Sequence, residues 1–436
     1  MKKLNMDTLK NRTLIFFTLF LASLHFLKIG NYGYFGIYLI CGALLFTDFP
    51  IKYILSTSLL IGSFFLWLKI THELVFFRIL SHLPYLRLIL IMGIVTLFNM
   101  FVILYIFSHY KSLKQDIQDN LLSIFVFIAI FSILMFIRAK LSIKPLILDR
   151  FGLYLGNLEA FLLAVYGAYL GNKLKDPKNH KALRKKIWLL FSLVFFAQLF
   201  LGIFVNNQFL MTGKLHFPIP ALIIGGPIYR GHGFFMICLF LSTIILVGPA
   251  WCSHLCYVGG LDAYTSSLRK TSKIRLIRHI SFINLFLTFL LAIIFKLLKF
   301  PQDTLILVVS SFGIISLIFI FILSPFLGKM THCISWCPIG IVSCTLGKVN
   351  PFRIRVDKKK CTSCGICETK CPYQAISIDK TAKINFFCTL CGDCLAICPH
   401  NAISITYLKK KKNIARPIFL FLIIVIHTIF LGLARI

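Results

Sequence analysis

Apolar residues dominate this chain in long runs, most of them close to the length that crosses a bilayer as a helix. The runs fall at Leu14–Ile29, Tyr34–Phe46, Ile51–Leu68, Leu86–Phe107, Leu121–Ile137 and Phe151–Leu170, then at Ile187–Val205, Phe234–Pro249, Ile280–Leu298, Leu305–Leu323 and Ile414–Leu433. They predict about eleven transmembrane helices, of which the second and eighth are short. Polar positions gather in the joints between runs, with one larger exception. Asp357–Leu408 is polar, rich in cysteine, and carries two short β-type segments, Ala375-Ile376-Ser377-Ile378 and Ala402-Ile403-Ser404-Ile405. The pattern predicts a polytopic all-α membrane protein with a small α+β domain inserted before the last helix. It divides the chain into 1–186 (about six helices), 187–348 (further helices), 349–408 (the inserted domain) and 409–436 (a final helix).

Composition strengthens the membrane reading. The chain is 58% hydrophobic and 14% charged, with 45 Phe, whereas soluble domains hold about half apolar residues. Charge then orients the helices. Lys2, Lys3, Lys10 and Arg12 precede the first run, as in a signal peptide. No small-x-small cleavage pattern follows in Leu27-Lys28-Ile29-Gly30-Asn31, so an anchor with a cytoplasmic amino terminus is expected. Alternating from there places Lys173–Lys186, with seven Lys or Arg, and Arg269–Arg278, with five, inside. Lys329–Lys360 and Lys409–Lys412 also fall inside, as the positive-inside rule asks. Arg138–Arg150, with four positives, fits that alternation poorly. The net charge of +33 is assigned to these loops and to anionic lipid headgroups. Nucleic acid is excluded as a partner, because no soluble basic domain is present.

The cysteines supply the chemistry. Cys361, Cys364, Cys367 and Cys371-Pro372 follow the spacing C-x2-C-x2-C-x3-C-P, and Cys388, Cys391, Cys394 and Cys398-Pro399 repeat it. This is the two-cluster [4Fe–4S] ferredoxin pattern, in which the fourth Cys of each run serves the other cluster. One cluster is expected on Cys361, Cys364, Cys367 and Cys398. The second is expected on Cys388, Cys391, Cys394 and Cys371. Gly365 and Gly392 stand where backbone passes close to sulfur. Zinc normally uses two separated Cys pairs, and disulfides do not suit the reducing side on which the topology places these thiols.

A further set lies at the ends of two apolar runs. Trp251-Cys252-Ser253-His254-Leu255-Cys256 follows the eighth run, and His332-Cys333-Ile334-Ser335-Trp336-Cys337 follows the tenth. Both are Cys-x3-Cys with a Trp and a His, and together they read as an internal repeat. If each motif is helical, its two sulfurs share a face. Cys252, Cys256, Cys333 and Cys337 would then offer four thiolates to a third site, an Fe–S cluster or another metal. The alternative is four ordinary buried cysteines. His254 and His332 are possible ligands or proton carriers, or plain interfacial histidines.

These motifs resemble those of the NapH/NosR/CcoG-type membrane polyferredoxins, over about Trp188–Tyr407. Pro338 fits the family's Cys-x3-Cys-Pro pattern, whereas Tyr257 stands where the first motif has proline. About 180 residues before Trp188 have no counterpart in the small members. There is no room for the soluble flavin-bearing domain of the NosR type, nor for a soluble domain after the last run as in the CcoG type. The resemblance implies a bacterial-type inner membrane protein with a cytoplasmic ferredoxin domain. It implies electron transfer between the quinone pool and redox partners, as in a quinol dehydrogenase subunit. The alternative is an accessory electron donor for maturation of a membrane metalloenzyme, and a more distant one is a transporter with a regulatory cluster domain.

Weaker candidates remain. Glu159 lies inside the sixth run, where an ionisable group is costly and either functional or structurally paired. His25 and His427 lie in runs and could ligate haem only if they faced each other. The segment from His216-Phe217-Pro218-Ile219-Pro220 to His232 is irregular, and suits a quinone pocket or an ordinary loop. Cys41, Cys238 and Cys344 are read as packing residues. No phosphate-binding Gly-rich loop, G-x-S-x-G or H-E-x-x-H occurs, so nucleotide-driven or hydrolytic chemistry is not supported.

Overall fold

The computed structural model describes residues 6–108, 117–141, 144–152, 154–209, 219–269, 276–408 and 412–433. Lys2, Lys3, His216–Pro218, Lys409–Lys411 and residues 270–275 of the second basic loop lie outside the described residues. The chain forms two compact units, Met1–Asn172 and Lys173–Ile436.

The first unit holds α1 (Met6–Lys28), α2 (Tyr32–Leu44), α3 (Lys52–Leu80), α4 (Leu86–Ser108), α5 (Leu121–Lys140) and α6 (Leu155–Leu174). Ile15, Leu19, Tyr38, Leu60 and Val102 pack α1 to α4 together, and Cys41 is buried in a neighbouring cluster with Ile37 and Phe161. The irregular joint after α5 is held by charge: Arg138 pairs with Asp149 at 2.7 Å. Glu159 accepts the Leu148 N–H at 2.8 Å. That bond gives Glu159 a structural partner in the joint before α6.

The second unit opens with α7 (Pro177–Phe204), which Asp176 caps through the Lys178 N–H at 2.9 Å with Pro177 in the first turn. Next come α8 (Leu222–Arg230), α9 (Phe235–Val247), α10 (Trp251–His254), α11 (Tyr257–Thr265), α12 (His279–Leu297) and α13 (Gln302–Ile318). A π-helical segment, Phe319–Leu323, leads into α14 (Ser324–Leu327), and a second, His332–Trp336, into α15 (Ile339–Leu346). π-segments of this kind occur often at functional sites.

The small α+β part follows. Strands β1 (Phe352–Val356) and β4 (Ile403–Tyr407) pair antiparallel, Phe352 opposite Tyr407 and Val356 opposite Ile403. Strands β2 (Ile376–Ile378) and β3 (Ala382–Ile384) form a second pair, and α16 (Ile366–Thr369) and α17 (Asp393–Ile397) are single turns. The last helix is α18 (Lys412–Leu433). One core runs without a break from Phe240, Trp251 and Cys256 through Phe352, Cys367 and Cys394 to Phe419.

Among the described residues, eight helical stretches are long and apolar enough to cross a membrane. They account for eight of the eleven expected spans. The runs at Leu14–Ile29, Tyr34–Phe46 and Phe151–Leu170 lie on α1, α2 and α6, which are shorter or less apolar than those eight. Exposed Leu86, Phe204, Leu297 and Phe326 are compatible with lipid contact. Around the eighth run the long helix α9 ends at Val247, and the first Cys-x3-Cys motif follows it across α10 and the start of α11.

Candidate iron–sulfur sites

The two cysteine runs fold as copies of one another, each position in the second lying 27 residues after its counterpart in the first, as Cys388 does after Cys361. The backbone repeats too. Left-handed φ values occur at Ser363 and Leu390, at Gly365 and Gly392, and at Gln374 and Asn401. Such turns aim successive N–H groups into a concavity that favours an anion, as at many Fe–S sites. The fourth cysteines match as well: Ala375 N donates to Cys371 Sγ at 3.3 Å, and Ala402 N to Cys398 Sγ at 3.3 Å.

Cys361, Cys364, Cys367 and Cys398 line one cavity, with free space of about 360 Å³. Cys371, Cys388, Cys391 and Cys394 line another of about 370 Å³, and Cys367 borders this one also. The near-equal sizes fit the same occupant. All fifteen cysteines are free thiols. Among the described residues, no three His, Cys, Asp or Glu side chains converge as a single metal ion requires.

The surroundings of the two cavities differ. Cys364 is exposed, whereas Cys391 and Cys394 are buried. Burial pushes the thiols of Cys391 and Cys394 up, and that of Cys388 up to about 11. The Ala382 and Ser363 N–H groups instead hold the Cys361 thiol below its ordinary value.

The buried cavity is clamped to α7. Arg184 forms two bonds to the Asp393 carboxylate, both at 2.8 Å, and a third to the Ser253 carbonyl at 2.9 Å. Both partners of this pair are almost wholly buried. Burial alone would raise the Asp393 carboxyl, but the Arg184 charge prevails and holds it below its usual range. His180 Nε2 meets the Cys391 carbonyl at 2.9 Å. A Cβ on Gly392 would lie 2.7 Å from His180 Nε2, whereas one on Gly365 would meet nothing within 4 Å. Both glycines have positive φ, so alanine strains either site by about 1–2 kcal/mol. Gly392→Ala is therefore expected to lower thermal stability and iron retention clearly more than Gly365→Ala, as melting and iron release under chelator will measure.

The four membrane-edge cysteines also converge. Cys252, Cys256, Cys333 and Cys337 line a third cavity of about 590 Å³. The geometry differs from two sulfurs on one helical face. In each motif the first Cys sits in a helical turn, while the second is extended, Cys256 at φ −81°, ψ 116° and Cys337 at φ −71°, ψ 119°. The reason is local: a new helix starts just after each second Cys. First-turn N–H groups of Val258 and Gly259 face Cys256, and those of Ile339 and Gly340 face Cys337. Asp262 ties the halves together by accepting bonds from Ser324 Oγ and, at 3.0 Å, from Cys333 N. Trp188 Nε1 donates to the Cys256 carbonyl at 2.8 Å.

Residues read as packing or passed over in the sequence join this site. Cys344 lines the cavity, beside Tyr373, Thr389 and Arg278. His332 lines it with neither ring nitrogen bonded to protein. His254 is turned elsewhere, against Ser253 Oγ at 2.9 Å, with the His180 ring 6.2 Å away. His427 meets the His254 carbonyl at 3.1 Å, while His25 packs on Trp67 in the first unit. The segment expected to be irregular is largely helical where it is described, as α8, and Pro220 just before that helix lines the cavity. Cys41 is buried near Ser56, and Cys238 is exposed on α9.

Comparison with known proteins gives the class. Residues 360–403 match a family model described as a 4Fe-4S dicluster domain. Residues 229–275 and 310–359 match one described as a 4Fe-4S binding domain, each match enclosing one Cys-x3-Cys motif. The chain thus carries ferredoxin-type 4Fe-4S domains in its C-terminal part. An uncharacterized protein of Methanocaldococcus jannaschii is 33% identical over 58 residues, which is 13% of this chain and 24% of that protein. The chain thus spans about a quarter of the length of that relative. No solved structure matches. Ferredoxin-type 4Fe-4S domains are thus joined to helices long and apolar enough to cross a membrane, which supports an iron–sulfur protein of the membrane.

Proposed function

We propose that the second unit carries single electrons between a membrane quinone and redox partners on the cytoplasmic side, in a bacterial-type inner membrane. Cys361, Cys364, Cys367 and Cys398 hold one [4Fe–4S] cluster, and Cys371, Cys388, Cys391 and Cys394 a second. Cys252, Cys256, Cys333 and Cys337 hold a third iron–sulfur group at the membrane edge. Such a cluster, when bound, accepts and gives up one electron at a potential set by its surroundings.

One observation carries this reading: the three cavities are neighbours in a row, separated by shared lining residues. Tyr373 and Thr389 line both the edge cavity and the middle one, and Cys367 lines both the middle and the exposed one. The Tyr373 hydroxyl donates to the Cys252 carbonyl at 3.3 Å. Arg184, Asp393 and His180 tie the middle cavity to α7, and all three are buried.

Iron and sulfide quantitation with EPR tests the assignment. Wild type is expected to bind about twelve irons, and the Cys252/Cys256/Cys333/Cys337 serine variant about eight. Eight in both would remove the edge cluster. Reduction of the clusters by quinol in proteoliposomes tests the donor, and reduction by a cytoplasmic donor alone would remove the quinone.

A further inference from the structure

The exposed cavity has a rim of its own. Cys364 and Gly365 lie at its mouth, nothing stands within 4 Å of a Cβ built on Gly365, and Ile366 beside them is 40% exposed. This leaves a small bare patch of backbone and apolar side chain over the sulfurs. Lys358, Lys359 and Lys360, which run directly into Cys361, are exposed, as is Lys380, while exposed Lys370 lines the middle cavity. Lys380 is fixed at the loop, because its carbonyl accepts the Ser363 hydroxyl at 2.7 Å. Acids are fewer here than lysines. Asp379 is paired with Lys383 at 2.6 Å. Asp357 receives the Lys359 N–H at 3.1 Å, and Glu368 is half-buried in α16.

The rim also lies away from the helices. β1 starts at Phe352, whose ring packs at a tilt against Phe419 of α18, and ends at Val356 in the wall of the exposed cavity. Five residues of strand separate those points by about 13 Å.

We propose that this lysine rim is the docking surface for an acidic one-electron carrier protein, which exchanges electrons with the cluster held by Cys361, Cys364, Cys367 and Cys398. The proposal rests on the electron-transfer reading above. Charge complementarity favours this occupant. These lysines flank a sulfur site beside exposed Ile366, as in a protein interface with charge at the edge for steering and bare contact in the middle. A lipid surface would use the lysines but not the exposed sulfur loop.

The test uses the full chain in zwitterionic nanodiscs, reduced chemically and mixed in stopped flow with an oxidised flavodoxin-type protein of net negative charge. One electron passes from the reduced cluster to the flavin, leaving the cluster oxidised and the flavin as its one-electron-reduced form. The second-order rate is expected to fall at least about tenfold between low and high salt, and again about tenfold in the K358E/K359E/K360E variant at low salt. Oxidation by a small neutral quinone should be unchanged in that variant, with iron content and EPR signals as in wild type. A rate indifferent to salt and to charge reversal, with clusters intact, would overturn the docking surface alone. An effect of the variant seen only with anionic lipid in the disc would assign the rim to the membrane and overturn it as well. Absence of iron from the wild-type protein would overturn the electron-transfer reading and the docking surface with it.

Discussion

Replacing Arg184 by methionine is expected to destabilise the second unit by about 3–5 kcal/mol, because it leaves the Asp393 carboxylate buried without its partner. Arg184 supplies both carboxylate bonds and holds the Ser253 carbonyl as well. A loss of that size is a large share of the roughly 5–15 kcal/mol that keeps a typical domain folded. The damage should centre on the middle cavity, where Asp393 opens the turn that carries Cys394. Chelator challenge followed by EPR should show the middle cluster lost first. The double variant R184M/D393L supplies the control. Removing both charges replaces a buried pair by apolar packing, which is often neutral or stabilising. If R184M alone melts with wild type, the clamp contributes nothing and the argument fails.

The second large effect concerns electron flow. Cys394→Ala removes one sulfur from the middle cavity and leaves the linings of the other two complete. Dithionite should still reduce the exposed cluster in this variant. Quinol supplied from the membrane should not, and the rate should fall to the uncatalysed background. The readout is the EPR signal of the exposed cluster in proteoliposomes after mixing with quinol. Undiminished reduction would mean that electrons bypass the middle cavity.

Much of the site was legible in the sequence, because the signal was local. Eight cysteines at fixed spacing predict which of them meet around one cavity, and the structure groups Cys398 with the first run and Cys371 with the second. Long apolar runs likewise predict long apolar helices. What escaped was carried by contacts between distant residues. Arg184 was one of seven positives in a loop assigned to the membrane rule, and its partner stands 209 residues away. Asp262 was a lone acid in an apolar stretch, an available signal that went unused, since its partners Ser324 and Cys333 belong to the other motif. Cys344 lacked a ligand-spaced neighbour, yet α15 returns it to the edge cavity. The shape of Cys-x3-Cys also escaped, because spacing does not reveal that a second helix begins directly after each motif.

The 27-residue offset between the runs has a longer consequence. Two halves that began alike in backbone now face different neighbours: one is pressed against His180 and Arg184, the other is open to solution. A duplicated unit in that position can divide its labour. The inward copy is bound to the helices and has little freedom to change without losing its seat. The outward copy can drift in its lysines and its bare patch while keeping its sulfurs, so this chain could exchange one soluble partner for another without rebuilding its interior.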